Sequence, residues 1–388
     1  MTHHQSRHAQ RLRGVEKTVF AEMSALAVRT GSVNFGQGSP DTSGPDSVVE
    51  KAYEAMLAGR NQYPPGRGTP ELVGAVISHQ QHNYGLDLAP ENVVATTGAT
   101  EAIAAAILGL VDPGDEVIVL EPWYDSYRAM IQFAGGVRRG LVLPAPDYRL
   151  DVAGLEAAVT ERTKMILLNT PHNPTGHVFD RAELEAIAAV AQRHDLVVVT
   201  DEVYEHLTFD DHEHVPIATL PGMRSRTVQI SSAGKTYSCT GWKVGWACGP
   251  APLVSAVLRV KQFLTFVNAG PLQPAVAVAL ALGSSYVDAV RAALEAKRNR
   301  LCAGLVDAGF TVFRPAGTYF VTVDITPFGA VDGVEFCRSL PERCGVVAVP
   351  TQVFYDHVAQ GQRLIRFAFC KRDEVLDEAI GRLRGLHR

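Results

Sequence analysis

Lys235 and Lys243 stand eight positions apart in SSAGKTYSCTGWKVGW, residues 231–246, a run of small residues that carries two tryptophans. A lysine amine that has lost its proton attacks carbonyl carbons and carries protons as a base. A lysine in a glycine–serine turn is more often a solvated surface charge, so its company decides its role. That company lies behind a series of apolar runs. Gly98, Ala99 and Thr100 follow one run, Trp123 and Tyr124 the next, then Asn173, then Asp201 and Tyr204, then Ser231, Ser232 and Lys235. In open α/β sheets ligands collect where the carboxyl ends of strands meet the following loops. A carboxylate, aromatic rings, an amide, hydroxyls and an amine thus converge on one edge. The GxGxxG turn of hydride transfer and the GxxxxGK[ST] loop of phosphoryl transfer are both absent from the sequence.

The elements that must hold these groups alternate along the chain. DEVIVLEP, TKMILLNTP, DLVVVTDEVY and TVQISSA are apolar runs with polar flanks, as expected of strands buried on both faces of a parallel sheet. ENVVATTG leads from a further strand into the helical ATEAIAAAILGLV, and DRAELEAIAAVAQRHD repeats apolar residues at helical spacing behind Asp180, a fitting N-cap. From about residue 285 a long helical stretch gives way to the short strands FTVFRPAGTYFVTVD and RLIRFAF. The expected fold class is α/β. An N-terminal segment, residues 1–45, joins a small α+β domain at 285–388, and residues 46–284 form a large domain whose mainly parallel sheet is sandwiched by helices.

With 388 residues, 46% hydrophobic and 20% charged, the chain has material for a large core. The six cysteines show no CxxC pair and no disulfide-like rhythm, and no metal is assigned. MTHHQSRHAQRLRG at the start lacks the apolar core of a signal peptide, so a cytoplasmic location is expected. No apolar run reaches the roughly 18 residues of a membrane span. A formal charge of -5 supplies no basic stripe for nucleic acid.

VNFGQGSPD, NQYPPGRGTPEL, TTGATEA, EPWYDSY, NTPHNPTG, TDEVYEHLTFD, SSAGKTYSCTGWKVGW and RLIRFAF, in this order, resemble the class I aminotransferases, which are fold-type I pyridoxal-phosphate enzymes. The resemblance covers nearly the whole chain. GKTYSCTGWKVGW is similar to the branch with kynurenine and glutamine aminotransferases, while VFAEMSALA, NQYPPG and CKRDEVLDEAI are similar to N-succinyldiaminopimelate aminotransferases.

The resemblance implies pyridoxal 5'-phosphate as cofactor and a role for each residue. Lys235 is the Schiff-base lysine that holds the cofactor and moves the substrate α-proton. Asp201 sits beside the pyridine nitrogen, and Asn173 and Tyr204 donate to the ring's phenolic oxygen. Gly98, Ala99 and Thr100 offer backbone N–H groups to the phosphate, with Ser232 and with Lys243, which stands where arginine is common in the class. Tyr124 stacks on the cofactor, Trp123 being the other candidate ring. Tyr63 reaches the phosphate of a neighbouring subunit, so a homodimer with a shared active site is implied. Arg366 binds the substrate α-carboxylate beside the backbone of Gly38, while Ser39 replaces an aromatic residue frequent in this branch. A succinylated substrate would want a second cationic contact, for which Arg67 or Arg128 is a guess. Plainer roles remain open from residue type alone: helix cap for Asp201, turn stabiliser for Asn173 and Tyr204, turn packing for Tyr63 and Gly38, structural ion pair for Arg366.

The implied reaction moves an amino group from an L-amino acid to a 2-oxo acid by a ping-pong mechanism through Lys235. A lyase, γ-replacement or cyclising enzyme of specialised metabolism is the alternative, because the cofactor supplies the electron sink and the pocket selects the bond. A non-catalytic regulatory module would carry an added DNA-binding segment or lack key residues, and neither holds here.

Overall fold

The computed structural model describes residues 8–386. Its centre is a seven-stranded sheet in the order Val93–Thr97, Val244–Cys248, Thr227–Ser232, Val197–Asp201, Thr163–Asn169, Glu116–Glu121, Val137–Val142. All neighbours are parallel except Val244–Cys248, which runs antiparallel to both of its partners. Successive side chains face opposite sheet surfaces, and both surfaces are covered. Val117 and Val119 enter one apolar cluster while Ile118 and Leu120 enter another. That double burial is why DEVIVLEP is an unbroken apolar run.

The five strands expected from apolar runs all form. Two more do not announce themselves. Val137–Val142 (VRRGLV) lies at the sheet edge, alternately exposed, and two arginines hide its strand character. Val244–Cys248 (VGWAC) is short, contains a glycine and follows the 3-10 turn Thr240–Trp242. The helix Arg181–Arg193 is capped as its sequence demands. The Asp180 side chain accepts from the Glu183 backbone N–H at 2.9 Å, and Glu183 reaches back to the Asp180 N–H at 3.1 Å.

The long helix Gly283–Asp307 leads to an antiparallel four-stranded sheet of Val349–Pro350, Leu364–Ala368, Phe320–Asp324 and Thr311–Phe313. The start of the chain docks here. Helix Val19–Thr30 packs on helix Gly333–Cys344, and Val33–Asn34 pairs in parallel with Val346–Val347. The Phe35 N–H donates to Val347 O at 2.9 Å and its carbonyl accepts from the Ala368 N–H at 2.7 Å. These bonds carry the segment 36–39 to the carboxyl edge of the large sheet.

Candidate active site

A cavity of about 450 Å³ opens where that segment and the small sheet meet the carboxyl edge of the large sheet. Of the residues given a cofactor or α-carboxylate role from the sequence, Gly38, Gly98, Ala99, Thr100, Tyr124, Asn173, Asp201, Tyr204, Ser232, Lys235, Lys243 and Arg366 line it, and Tyr63 does not. Tyr63 is 80% exposed on the surface, its ring edge-on to Phe266 at 5.2 Å.

Asp201 ends a central strand and is buried at the base of the cavity. Its Oδ2 accepts from the Tyr127 hydroxyl at 2.6 Å and its Oδ1 from the Val203 N–H at 3.3 Å. Burial raises its pKa above the usual carboxylate value, against the pull of these two donors and of Lys235. Lys235 makes no hydrogen bond or ion pair among the described residues. Its Nζ lies 5.7 Å from the centre of the Tyr204 ring and 5.8 Å from that of Tyr319. Burial lowers its pKa, outweighing the nearby Cys370 and Asp201. The amine is therefore biased toward the neutral form that attacks carbonyls.

At the other end the helix Gly98–Leu110 points its first N–H groups into the cavity. Gly98 has φ +67, and a Cβ there would meet Lys243 Nζ at 3.0 Å, so the lysine lies directly over the helix start. Helix N-terminus, Lys243 and Ser232 together make a cradle for an anion.

Arg366 is fully buried in Leu364–Ala368, and burial lowers its pKa to about 10 without removing its charge near neutral pH. Its Nη1 donates to Asn173 Oδ1 at 2.9 Å and its Nη2 to Gly36 O at 2.7 Å, while the guanidinium lies 3.8 Å over the Phe320 ring. No carboxylate pairs with it among the described residues, so the structural ion pair is ruled out in favour of a cation held by two carbonyl oxygens and a ring. Tyr319 donates its hydroxyl to Gly38 O at 2.6 Å, and a Cβ on Gly38 would collide with Phe320 at 2.4 Å. Only glycine fits there.

The family model for aminotransferase class I and II matches residues 30–383. The chain belongs to the class I and II aminotransferases. It is 51% identical over 386 residues to the probable N-succinyldiaminopimelate aminotransferase of Mycobacterium tuberculosis, covering 96% of this chain and 97% of that protein. The solved structure of the N-succinyldiaminopimelate aminotransferase from that organism matches with a TM-score of 0.96 at 50% identity, over 98% of this chain and 100% of the other. The methionine aminotransferase of Escherichia coli is 38% identical over 95% of this chain and 96% of its own length. This aminotransferase moves an amino group between an L-amino acid and a 2-oxo acid, and these relatives support that reaction rather than the lyase or cyclising alternative.

The family's cofactor is pyridoxal phosphate, and the cavity fits it on its own terms. One end offers a cradle for a dianion, the base offers a buried carboxylate for a ring nitrogen, and between them stands an amine without a partner. Tyr124 faces the cavity, and burial raises its hydroxyl pKa to about 12. Trp123 is buried in the core and does not line the cavity; its backbone N–H donates to Phe354 O at 3.0 Å, while its indole N–H has no partner among the described residues.

Arg67 and Arg128 do not reach the cavity. Arg67 spends its Nη1 on the Glu91 and Val93 carbonyls, each at 3.0 Å, and Arg128 lies toward Gly14. Sequence patterns missed Tyr127, one helical turn beyond Tyr124 in EPWYDSY, whose spacing signals a shared face. They also missed Phe20, Gln37 and Asp125. Phe20 stacks on Phe354 at 5.7 Å, and this is how the C-terminal loop around VPTQVFYDHVAQGQ supports the cavity wall without lining it.

Proposed function

We propose that Lys235 carries the proton at the substrate α-carbon while Arg366 grips the α-carboxylate, in an aminotransferase for amino acids with a long polar side chain. The observation that carries this reading is the pairing of an unpartnered amine with a buried arginine across one cavity. Pyridoxal phosphate, when bound, supplies a carbonyl carbon for the amine and a conjugated ring that takes up the electron pair left by the departing proton. Asn173 gives its Oδ1 to Arg366, which leaves its Nδ2 to donate into the cavity beside the Tyr204 hydroxyl. Asp201 holds positive charge at the base, backed by Tyr127. The helix start, Ser232 and Lys243 hold the phosphate, and Tyr124 packs against the ring face.

N-succinyldiaminopimelate, named for the relative at 51% identity, is the first candidate amino donor. Ser39 supports an extended side chain, because a small residue lines the cavity where the branch often has an aromatic one. Tyr63 acts in the partner's site of a homodimer. Its exposure, next to exposed Phe263, Leu264 and Phe266, supports burial against a second copy. The same reading keeps the division into 1–45, 46–284 and 285–388 and a cytoplasmic enzyme without membrane or nucleic-acid partners. The six cysteines are free, and no single helix among the described residues is long and apolar enough to cross a membrane.

The test is a single-turnover half-reaction of the holoenzyme with N-succinyldiaminopimelate, methionine and kynurenine in parallel. Bleaching of the visible cofactor band, reversed by 2-oxoglutarate and fastest with the succinylated donor, is expected. Release of 2-oxobutyrate, methanethiol and ammonia from methionine without that reversal would reject amino transfer, and a slower succinylated donor would reject the substrate.

A further inference from the structure

Behind the cavity, helix Pro70–Tyr84 and the turn after Val197–Asp201 bring His79, Glu205 and His206 together. The Nε2 atoms of the two histidines face each other at 2.8 Å, with the rings at 81°. One ligand atom from each of the three residues lies within 4.8 Å of the others. His79 and Glu205 are buried, whereas His206 is partly exposed and leaves a path from solvent. We propose that His79, Glu205 and His206 form a binding site for a divalent transition-metal ion of the zinc class.

Two imidazoles and a carboxylate are a zinc ligand set that leaves a fourth position open to water. Zinc–nitrogen bonds of about 2.0–2.1 Å put tetrahedral ligand atoms about 3.3 Å apart, so the histidine pair opens by about half an ångström to admit the ion. The carboxylate is oriented by two hydroxyl donors, and its ligand oxygen, within 4.8 Å of the histidine nitrogens, closes by up to about 1.5 Å to reach tetrahedral spacing. Glu205 Oε1 accepts from the Ser231 hydroxyl at 2.5 Å and Oε2 from the Tyr84 hydroxyl at 2.6 Å, and each oxygen keeps a lone pair free. Glu202 Oε2, close by, is engaged by His214 and Gln229, each at 2.8 Å, and the residue lies outside the three-residue cluster.

A second observation points the same way. Gln80 is fully buried, its Nε2 sits 3.5 Å from His79 Nδ1, and its Oε1 has no partner among the described residues. An ion on His79 Nε2 moves that ring's proton to Nδ1. A half-turn of the Gln80 amide then sets Oε1 on the Nδ1 proton, so the orphaned oxygen gains a donor and the ligand gains the outer hydrogen bond that metal-bound histidines use. Glu205 adjoins Tyr204 and Ser231 adjoins Ser232, both lining the cavity. The ion would tie helix Pro70–Tyr84 to the strand ends that hold the active site, a stabilising role separate from amino transfer.

The experiment uses holoenzyme stripped of metals by a chelator and titrated with zinc in competition with a chromophoric chelator, then with cobalt(II) for its visible spectrum. Expected are one zinc per chain at micromolar affinity or tighter, a zinc-dependent rise in the thermal midpoint, and at least tenfold weaker binding in both His79→Gln and His206→Gln. His194→Gln, on the surface beside Glu156, should bind as the parent does. No stoichiometric zinc in the parent protein, or parental affinity in either variant, would overturn the site. If a variant fails to hold its cofactor, the parent's cobalt spectrum decides: an intense tetrahedral band supports the site and its absence overturns it.

Discussion

Replacing Arg366 by lysine separates the fork of the guanidinium from its charge. A guanidinium has five N–H donors. One on Nη1 goes to Asn173 Oδ1 at 2.9 Å, one on Nη2 goes to Gly36 O at 2.7 Å, and Nε has no partner. Three donors therefore remain for a substrate carboxylate, enough for a two-bond grip. A lysine offers three donors from one point, and the same two carbonyl oxygens compete for them. The variant keeps a cation and loses one charge-assisted bond to the substrate, worth about 1.5–3 kcal/mol, or about 10–150-fold in kcat/KM. The assay compares the half-reaction of an L-amino acid with that of a primary amine bearing the same side chain but no α-carboxylate. The amino acid should slow by the predicted factor and the amine should stay within about threefold of the parent enzyme. An equal loss on both substrates, or no loss on the amino acid, would refute the assignment of Arg366 to the carboxylate.

Lys235→Ala should keep the fold and lose about 10²–10⁴ or more of the half-reaction rate, the range of a positioned proton carrier, checked by single-turnover absorbance beside circular dichroism. Tyr127→Phe removes the hydroxyl that donates to Asp201 at 2.6 Å and should slow turnover by about 10-fold or more without changing Arg366-dependent carboxylate discrimination, as read from kcat/KM on the same substrate pair. Gly98→Ala puts a side chain at φ +67 and against Lys243 Nζ, so cofactor affinity measured by fluorescence titration should fall by about tenfold. Burial lowers the Lys235 pKa, so the unfolded chain holds more protons than the folded apoprotein between that lowered value and the ordinary ~10.4. Apoprotein stability should rise with pH across that window, by urea midpoints, and Lys235→Met should flatten the rise.

Strand identity was legible in the five strands that are written as continuous apolar runs, because both of their faces are buried. It was illegible in VRRGLV, where an edge strand needs only one apolar face, and in VGWAC, where a strand hides inside a functional motif. Site residues on strand ends were legible because the sheet fixes their edge; the roles assigned to them rest on the experiments above. Tyr127 and Asn169 escaped because they act through other residues. Asn169 takes the Asn173 N–H at 2.7 Å and donates to Asp201 O at 2.9 Å, contacts that no spacing reveals. The guesses at Arg67 and Arg128 failed for the converse reason: charge was counted without knowing that Arg67 is spent on two backbone carbonyls.

The cavity treats its two central ionisable groups unequally, and that inequality bears on the chemistry. Burial pushes both toward neutrality, raising Asp201 and lowering Lys235. Asp201 alone is given hydrogen-bond donors, from Tyr127 and Val203, which hold its anionic form against the cost of burial. Lys235 is given no acceptor and faces two rings instead, so nothing nearby holds its proton by a hydrogen bond. The same dry environment thus favours a neutral amine while its hydrogen bonds sustain a carboxylate. An anion that must meet positive charge and an amine that must attack carbon need those opposite states at one pH. Removing the Tyr127 hydroxyl takes away only the first. Both groups act deprotonated, so activity falls toward acid as either one gains a proton, and Tyr127→Phe should move the Asp201 step of that acid limb to higher pH while the Lys235 step stays where it was. A parallel shift of both steps would mean that the two groups titrate as one coupled pair.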